Sequence, residues 1–133
     1  MATDVAVYLD SSAFVKLVVA ERRSSALRAY LRRQDRRRVS SALLRTEAVR
    51  AVRLLGPDAL AQTRRALRAI DLIAVSDGVL DAAGTLEPRV LRTLDAIHIA
   101  TALALGDDLS VIVTYDERMA DSAHLLGLPI AMP

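Results

Sequence analysis

The sequence contains no cysteine and no tryptophan, one phenylalanine (Phe14) and one lysine (Lys16). Without thiols there is neither a disulfide framework nor a thiolate metal site. Aromatic residues make up 3% of the chain, so platforms on which successive bases could stack are scarce. A nucleic acid would have to be held through its phosphates. No apolar run approaches the roughly 20 residues needed to span a bilayer; Phe14 to Ala20 is short and interrupted by Lys16. Nothing near the N-terminus reads as a signal peptide, so a cytoplasmic protein without membrane contact is expected. Walker A, G-x-G-x-x-G and nucleophile-elbow patterns are all missing. A phosphoaspartate receiver needs a lysine at the end of a late strand, whereas the only lysine lies in the first helical stretch.

The chain has 133 residues, 53% of them hydrophobic, which suits one globular domain over 1–133 and argues against disorder. Its charge is unevenly spread. Residues 22–68 hold 14 arginines against three acids (Asp35, Glu47, Asp58), a balance of +11; the rest holds four bases and 13 acids, −9, and the sum is the net +2. Such asymmetry fits a polyanion partner, although Arg-rich solvated helix faces would read the same way.

Short β-forming runs alternate with helical stretches. Strands are expected at Val5 to Leu9, Val39 to Ser41, Leu72 to Val75, Leu109 to Val113 and within Leu128 to Met132. Helices are expected from Ser11-Ser12 through Val18, over Ser24 to Arg33, over Leu44 to Leu55 with a stop at Gly56-Pro57, and from Asp58 through Ile70. Further helices follow from Asp77 to Ala83, from Thr93 to Gly106 and from Asp116 to Leu126. Caps are assigned to Ser11-Ser12, Asp58, Asp77, Thr93 and Asp116. Alternation of this kind predicts an α/β fold with a mostly parallel sheet of about five short strands flanked by helices. Ligands of such sheets bind beyond the carboxyl ends of the strands.

Four acids sit at junctions in this pattern. Asp10 closes the first strand and Asp116 follows the fourth; Glu47 and Asp95 lie early in two amphipathic helices. Carboxylates brought together raise one another's pKa unless a cation lies between them. For an all-oxygen set, that cation is Mg²⁺ or Mn²⁺. Each acid also has a plainer reading. Asp10 could cap a helix, though Ser11 and Ser12 offer that chemistry themselves. Glu47 could pair with Arg45 or Arg50 on a solvated face. Asp95 and Asp116 could answer helix dipoles, although Asp95 has the apolar neighbours Leu94, Ala96 and Ile97. His98, one turn beyond Asp95, reads as structural or orienting rather than as a ligand, and His124, late in the last helix, has the same plain reading. Ser11, Ser12 and Thr114 could orient a carboxylate or serve as ordinary caps.

Together these segments resemble a PIN-domain protein, specifically a VapC-type toxin of a toxin–antitoxin pair. Tyr8-Leu9-Asp10-Ser11-Ser12-Ala13-Phe14-Val15-Lys16-Leu17, Ser41 to Ala48, Leu94-Asp95-Ala96-Ile97-His98-Ile99-Ala100 and Val113-Thr114-Tyr115-Asp116-Glu117-Arg118-Met119 carry the likeness in order along the chain. The resemblance implies a ribonuclease that uses Mg²⁺ or Mn²⁺, with Asp10, Glu47, Asp95 and Asp116 as catalytic metal ligands and Thr114 as the hydroxyl beside the fourth acid. It also implies a homodimer and a VapB-type antitoxin that presents a basic side chain to the acids. Some PIN nucleases carry a further acid shortly after the fourth; here Met119 and Ala120 intervene before Asp121, which leaves that extra ligand open. Arg45 and Arg50, on Glu47's helix, are the candidate RNA contacts. Two rivals share the acid pattern: a catalytically inactive PIN scaffold that acts by binding, and a Mg²⁺-dependent phosphatase of small molecules.

Overall fold

The computed structural model describes residues 5–133. Five strands form one fully parallel sheet in the order β3-β2-β1-β4-β5: β1 (Ala6–Leu9), β2 (Arg37–Ser41), β3 (Asp71–Ile73), β4 (Leu109–Val113) and β5 (Ile130–Ala131). Seven α-helices connect and cover them among the described residues: α1 (Ser11–Val18), α2 (Ser24–Gln34), α3 (Leu44–Val52), α4 (Pro57–Leu67), α5 (Asp77–Gly84), α6 (Thr93–Leu103) and α7 (Glu117–Leu125).

The central strand explains the layering. All four β1 residues are fully buried, and they alternate between two cores. Val7 and Leu9 pack with Phe14, Leu27, Leu44 and Val52 from α1, α2 and α3. Ala6 and Tyr8 pack with Ile99 and Met119 from α6 and α7. A strand covered on both faces reads as a continuous apolar run, which is why β1 and β4 were recognisable without alternation. Helix α5 packs on α6 through Val79, Ile97 and Ala100.

The expected elements are present, with shifts at their ends. Strand β2 begins at Arg37, two residues before the expected Val39, because Arg37 and Arg38 pair with Ala6 and Val7. Several caps differ. Asp10, not Ser11 or Ser12, caps α1, and its carboxylate accepts from the Ala13 amide. Gly56 precedes α4 at φ 104°, with Pro57 opening the helix and Asp58 in its first turn. Ser76 caps α5 in place of Asp77. Arg92 occupies the cap position of α6 without a capping side-chain bond, and Thr93 is the first helical residue. Asp116 caps α7 as expected, accepting from the amides of Arg118 and Met119.

Candidate active site

The site begins where β1 and β4 run side by side. Leu9 is paired with Val113, and the ladder continues as the Asp10 amide donates to the Val113 carbonyl. Asp10 and Thr114 therefore leave the sheet together. The Asp10 side chain is buried, and both carboxylate oxygens are occupied. Ser12 Oγ donates to Oδ1 at 2.7 Å, the Ala13 amide donates to the same oxygen at 2.9 Å, and Thr114 Oγ1 donates to Oδ2. Burial pushes the Asp10 pKa up, and these three donors pull against it. Capping and orientation thus coincide: one carboxylate terminates a helix and is fixed at the carboxyl edge of the sheet.

Both hydroxyls serve a second partner. Ser12 Oγ accepts from the Tyr115 amide at 2.9 Å, and Thr114 Oγ1 accepts from the Asp116 amide at 3.1 Å. The first and fourth acids are in this way tied through Thr114. Ser11 has no side-chain hydrogen bond among the described residues. The lone lysine is engaged elsewhere: its Nζ lies 4.9 Å from the centre of the Tyr115 ring and 3.7 Å from Glu21.

Asp95 and Asp116 share a cation already present in the chain. Arg92 Nε donates to Asp95 Oδ2 at 3.3 Å, and its Nη2 donates to Asp116 Oδ2 at 3.0 Å. The Asp95 pKa is raised, first by burial and then by the Asp116 charge, while Arg92 lowers it. Nothing in the sequence singled out Arg92. Its position three residues before Asp95 at a helix start was the available signal.

Glu47 is not paired with Arg45 or Arg50. Its Oε1 lies 2.6 Å from Nε2 of His98, and Nδ1 of that ring lies 2.6 Å from the Tyr8 hydroxyl. Burial strongly raises the Tyr8 pKa, so its proton is retained. We assign Tyr8 as donor to Nδ1, which leaves Nε2–H to donate to Glu47; the assignment follows from the network. His98 is buried and orients Glu47, as its position in the helix suggested. Tyr8 was missed, because a tyrosine in an apolar strand looks like core. A buried phenol needs a polar partner, and His98 was the one within a core helix.

Among the described residues no three acidic or histidine side chains converge on one point as they stand. Arg92 lies between Asp95 and Asp116, and Glu47 is turned onto His98. The side chains are nonetheless all carboxylates, the oxygen donors a hard divalent ion takes, and Arg92 places a positive charge between Asp95 and Asp116. Asp10, Asp95, Asp116 and Glu47 are the residues that could hold it. Arg45 and Arg50 are exposed on α3, and neither contacts an acid.

The PIN domain family matches residues 7–125. The chain belongs to the PIN-domain family, among its VapC proteins. Ribonuclease VapC46 of Mycobacterium tuberculosis is 55% identical over 128 residues, covering 96% of this chain and 98% of that protein. Ribonuclease VapC35 of the same species is 36% identical over 130 residues, covering 96% of each. The PIN fold is matched at lower identity by solved structures. M. tuberculosis VapC20, a toxin that cleaves the sarcin–ricin loop, superposes with a TM-score of 0.76 at 15% identity, covering 96% of this chain and 99% of that one. A toxin–antitoxin complex from Klebsiella pneumoniae gives 0.70 at 19% identity, covering 96% and 97%.

Proposed function

We propose that this PIN-domain chain is a metal-dependent endoribonuclease that hydrolyses RNA phosphodiester bonds as the toxin of a toxin–antitoxin pair. The observation that carries the reading is the linked set of four acids at the carboxyl edge of the sheet. Asp10 and Asp116 are joined through Thr114, Asp116 and Asp95 through Arg92, and Glu47 through His98 to the helix that bears Asp95. Whole-length likeness to proteins named as VapC ribonucleases supports the same reaction class.

Asp10, Asp95, Asp116 and Glu47 would hold Mg²⁺ or Mn²⁺. Bound there, the ion would supply Lewis-acid polarisation and neutralise charge that develops on phosphoryl oxygens. The chain's own part is placement. Ser12, Ala13 and Thr114 hold Asp10 still, so no reorganisation is required of it during reaction. Glu47 has one oxygen committed to His98, which leaves Oε2 as its free oxygen, and the least tightly held of the acids would take the proton of an attacking water. Arg45 and Arg50 would contact the RNA backbone. The cognate partner is a VapB-type antitoxin, in keeping with the toxin–antitoxin complexes among the structural neighbours. Its inserted cation would meet the acids as Arg92 does. A cytoplasmic homodimer accords with the family resemblance.

The test is incubation of the purified chain with total cellular RNA and Mg²⁺ or Mn²⁺, beside EDTA and an Asp95→Asn variant, with sequencing of the 5′ ends produced. Discrete cuts that vanish with EDTA and with the variant support the proposal. No cuts from folded, metal-loaded, antitoxin-free protein would turn the reading toward an inactive scaffold.

A further inference from the structure

The arginines of residues 22–68 line two hollows, one with Arg28, Arg32 and Arg38 and one with Arg45, Arg64 and Arg68, and the second lies against the helix that carries Glu47. Three of these side chains, Arg45 of α3 with Arg64 and Arg68 at the end of α4, line a single groove of about 630 Å³ between the two helices. Leu67 and Leu72 are also among its walls, and no acidic residue lines it. All three arginines are exposed, and none has an ion pair or side-chain hydrogen bond among the described residues. Among the described arginines, Arg23, Arg28, Arg37 and Arg92 have side-chain partners; the groove arginines share their free state with other exposed arginines and differ from those in lining one hollow beside α3. Three exposed guanidiniums around one hollow make it electropositive and attractive to anions, an attraction that salt screens.

The placement connects the groove to the acids. Ala42, on the groove wall, directly follows β2 at the carboxyl edge of the sheet. Arg45, Thr46 and Val49 turn one flank of α3 to the groove, while Glu47 reaches His98 from another. The groove and Glu47 are thus separated by one helix, roughly 10 Å across. A chain of phosphates crossing the first turn of α3 meets both. Guanidiniums suit phosphate oxygens through paired N–H donors. With so few aromatic residues in the sequence, the grip has to come from such contacts.

We propose that the Arg45–Arg64–Arg68 groove is the track that holds the phosphate backbone of the RNA leading away from the cleavage site. This rests on the ribonuclease reading and adds a location to it. Arg64 and Arg68 are the new assignments. They touch no acid of the site and act on binding alone.

The test measures binding of a fluorescein-labelled, mixed-sequence RNA oligonucleotide in EDTA, across a series of KCl concentrations. Three double variants are compared with the parent chain: Arg64→Gln/Arg68→Gln, the charge-keeping Arg64→Lys/Arg68→Lys, and Arg22→Gln/Arg33→Gln, which removes the same charge beside and on α2. Thermal melts establish that all are folded. The groove Gln variant is expected to bind about tenfold more weakly at low salt, and its log–log salt dependence to flatten by about 1.4, as for two lost contacts to a single strand. The Lys variant and the α2 variant are expected to keep most of the slope. Equal losses in both Gln variants, or unchanged binding in the groove variant, would overturn the proposal; unchanged binding would leave an acidic protein segment as the occupant to seek. Cleavage is read separately, with Mn²⁺ restored. A parent chain that cuts RNA while the groove variant binds normally sinks the groove and spares the nuclease. Groove-dependent binding without any cleavage by the parent does the reverse.

Discussion

Nε2 of His98 and Oε1 of Glu47 lie 2.6 Å apart, which joins the helix carrying Asp95 to the helix carrying Glu47. The Tyr8 hydroxyl closes the other side of the ring, whose plane stands at 80° to the tyrosine. Among the described residues no buried side-chain nitrogen or oxygen lacks a partner, so this chain of three is complete.

Deleting its inner end is expected to cost stability and then activity. Tyr8→Phe leaves Nδ1 of His98 buried without a partner, at about 1–3 kcal/mol, read as a lower urea midpoint. His98→Leu strands the Tyr8 hydroxyl and releases Glu47. Its cleavage rate is expected to fall more than its affinity for RNA, because the groove arginines are untouched. Loss of RNA affinity with an unchanged rate would contradict the orienting role.

Arg92 gives a prediction about cation binding. Its side chain is 61% exposed, so its hold on Asp95 and Asp116 is screened and worth no more than about 1 kcal/mol. A divalent ion that takes both acids must displace it. Arg92→Gln is therefore expected to bind Mn²⁺ about two- to fivefold more tightly in calorimetric titration. Weaker binding in the variant would show that the guanidinium helps assemble the ion site.

For Asp10 the prediction concerns pH. Its folded pKa is raised above the ordinary carboxylate value, chiefly by burial. Above that ordinary value the unfolded chain gives up the proton more readily than the folded one, so stability falls as pH rises through the folded pKa. Without divalent ions, Asp10→Asn is expected to be at least as stable as the parent at neutral pH. The advantage should vanish below the ordinary carboxylate pKa. Melts across the acid range decide it; a variant clearly less stable at neutral pH would mean that the hydrogen bonds outweigh the burial cost.

Much of the architecture was legible because β1 and β4 are covered on both faces and helix stops such as Gly56-Pro57 are strong. Caps were less so. Asp, Ser and Thr all serve as N-caps, and between Asp10, Ser11 and Ser12 the choice was settled by where β1 hands over to α1, a tertiary matter. The four acids stood out by position. Their partners did not: Thr114 lies 104 positions from Asp10, and His98 lies 51 from Glu47. Arg92 was one arginine among 17. Such pairings are set by sheet order, which no local pattern encodes.

Gly56 supplies a backbone test. At φ 104° and ψ 175° it occupies a region that residues with a Cβ rarely enter, although space around it is open. Gly56→Ala is expected to lower stability by about 1–3 kcal/mol, through backbone strain alone. The reversal it makes between α3 and α4 shapes the arginine groove, so RNA affinity should fall with it. A neutral melt would show that the loop relaxes freely.

The sheet order also has a consequence in time. Asp10 is made early, but the hydroxyl on its Oδ2 and the strand beside it come 104 residues later. At synthesis rates of roughly 5–20 residues per second, about 5–20 s pass between them. Throughout that interval the nascent chain carries its first carboxylate with no β4 to set it against and no Asp116. The edge of the sheet that sets Asp10 is thus finished only when nearly the whole chain has been made.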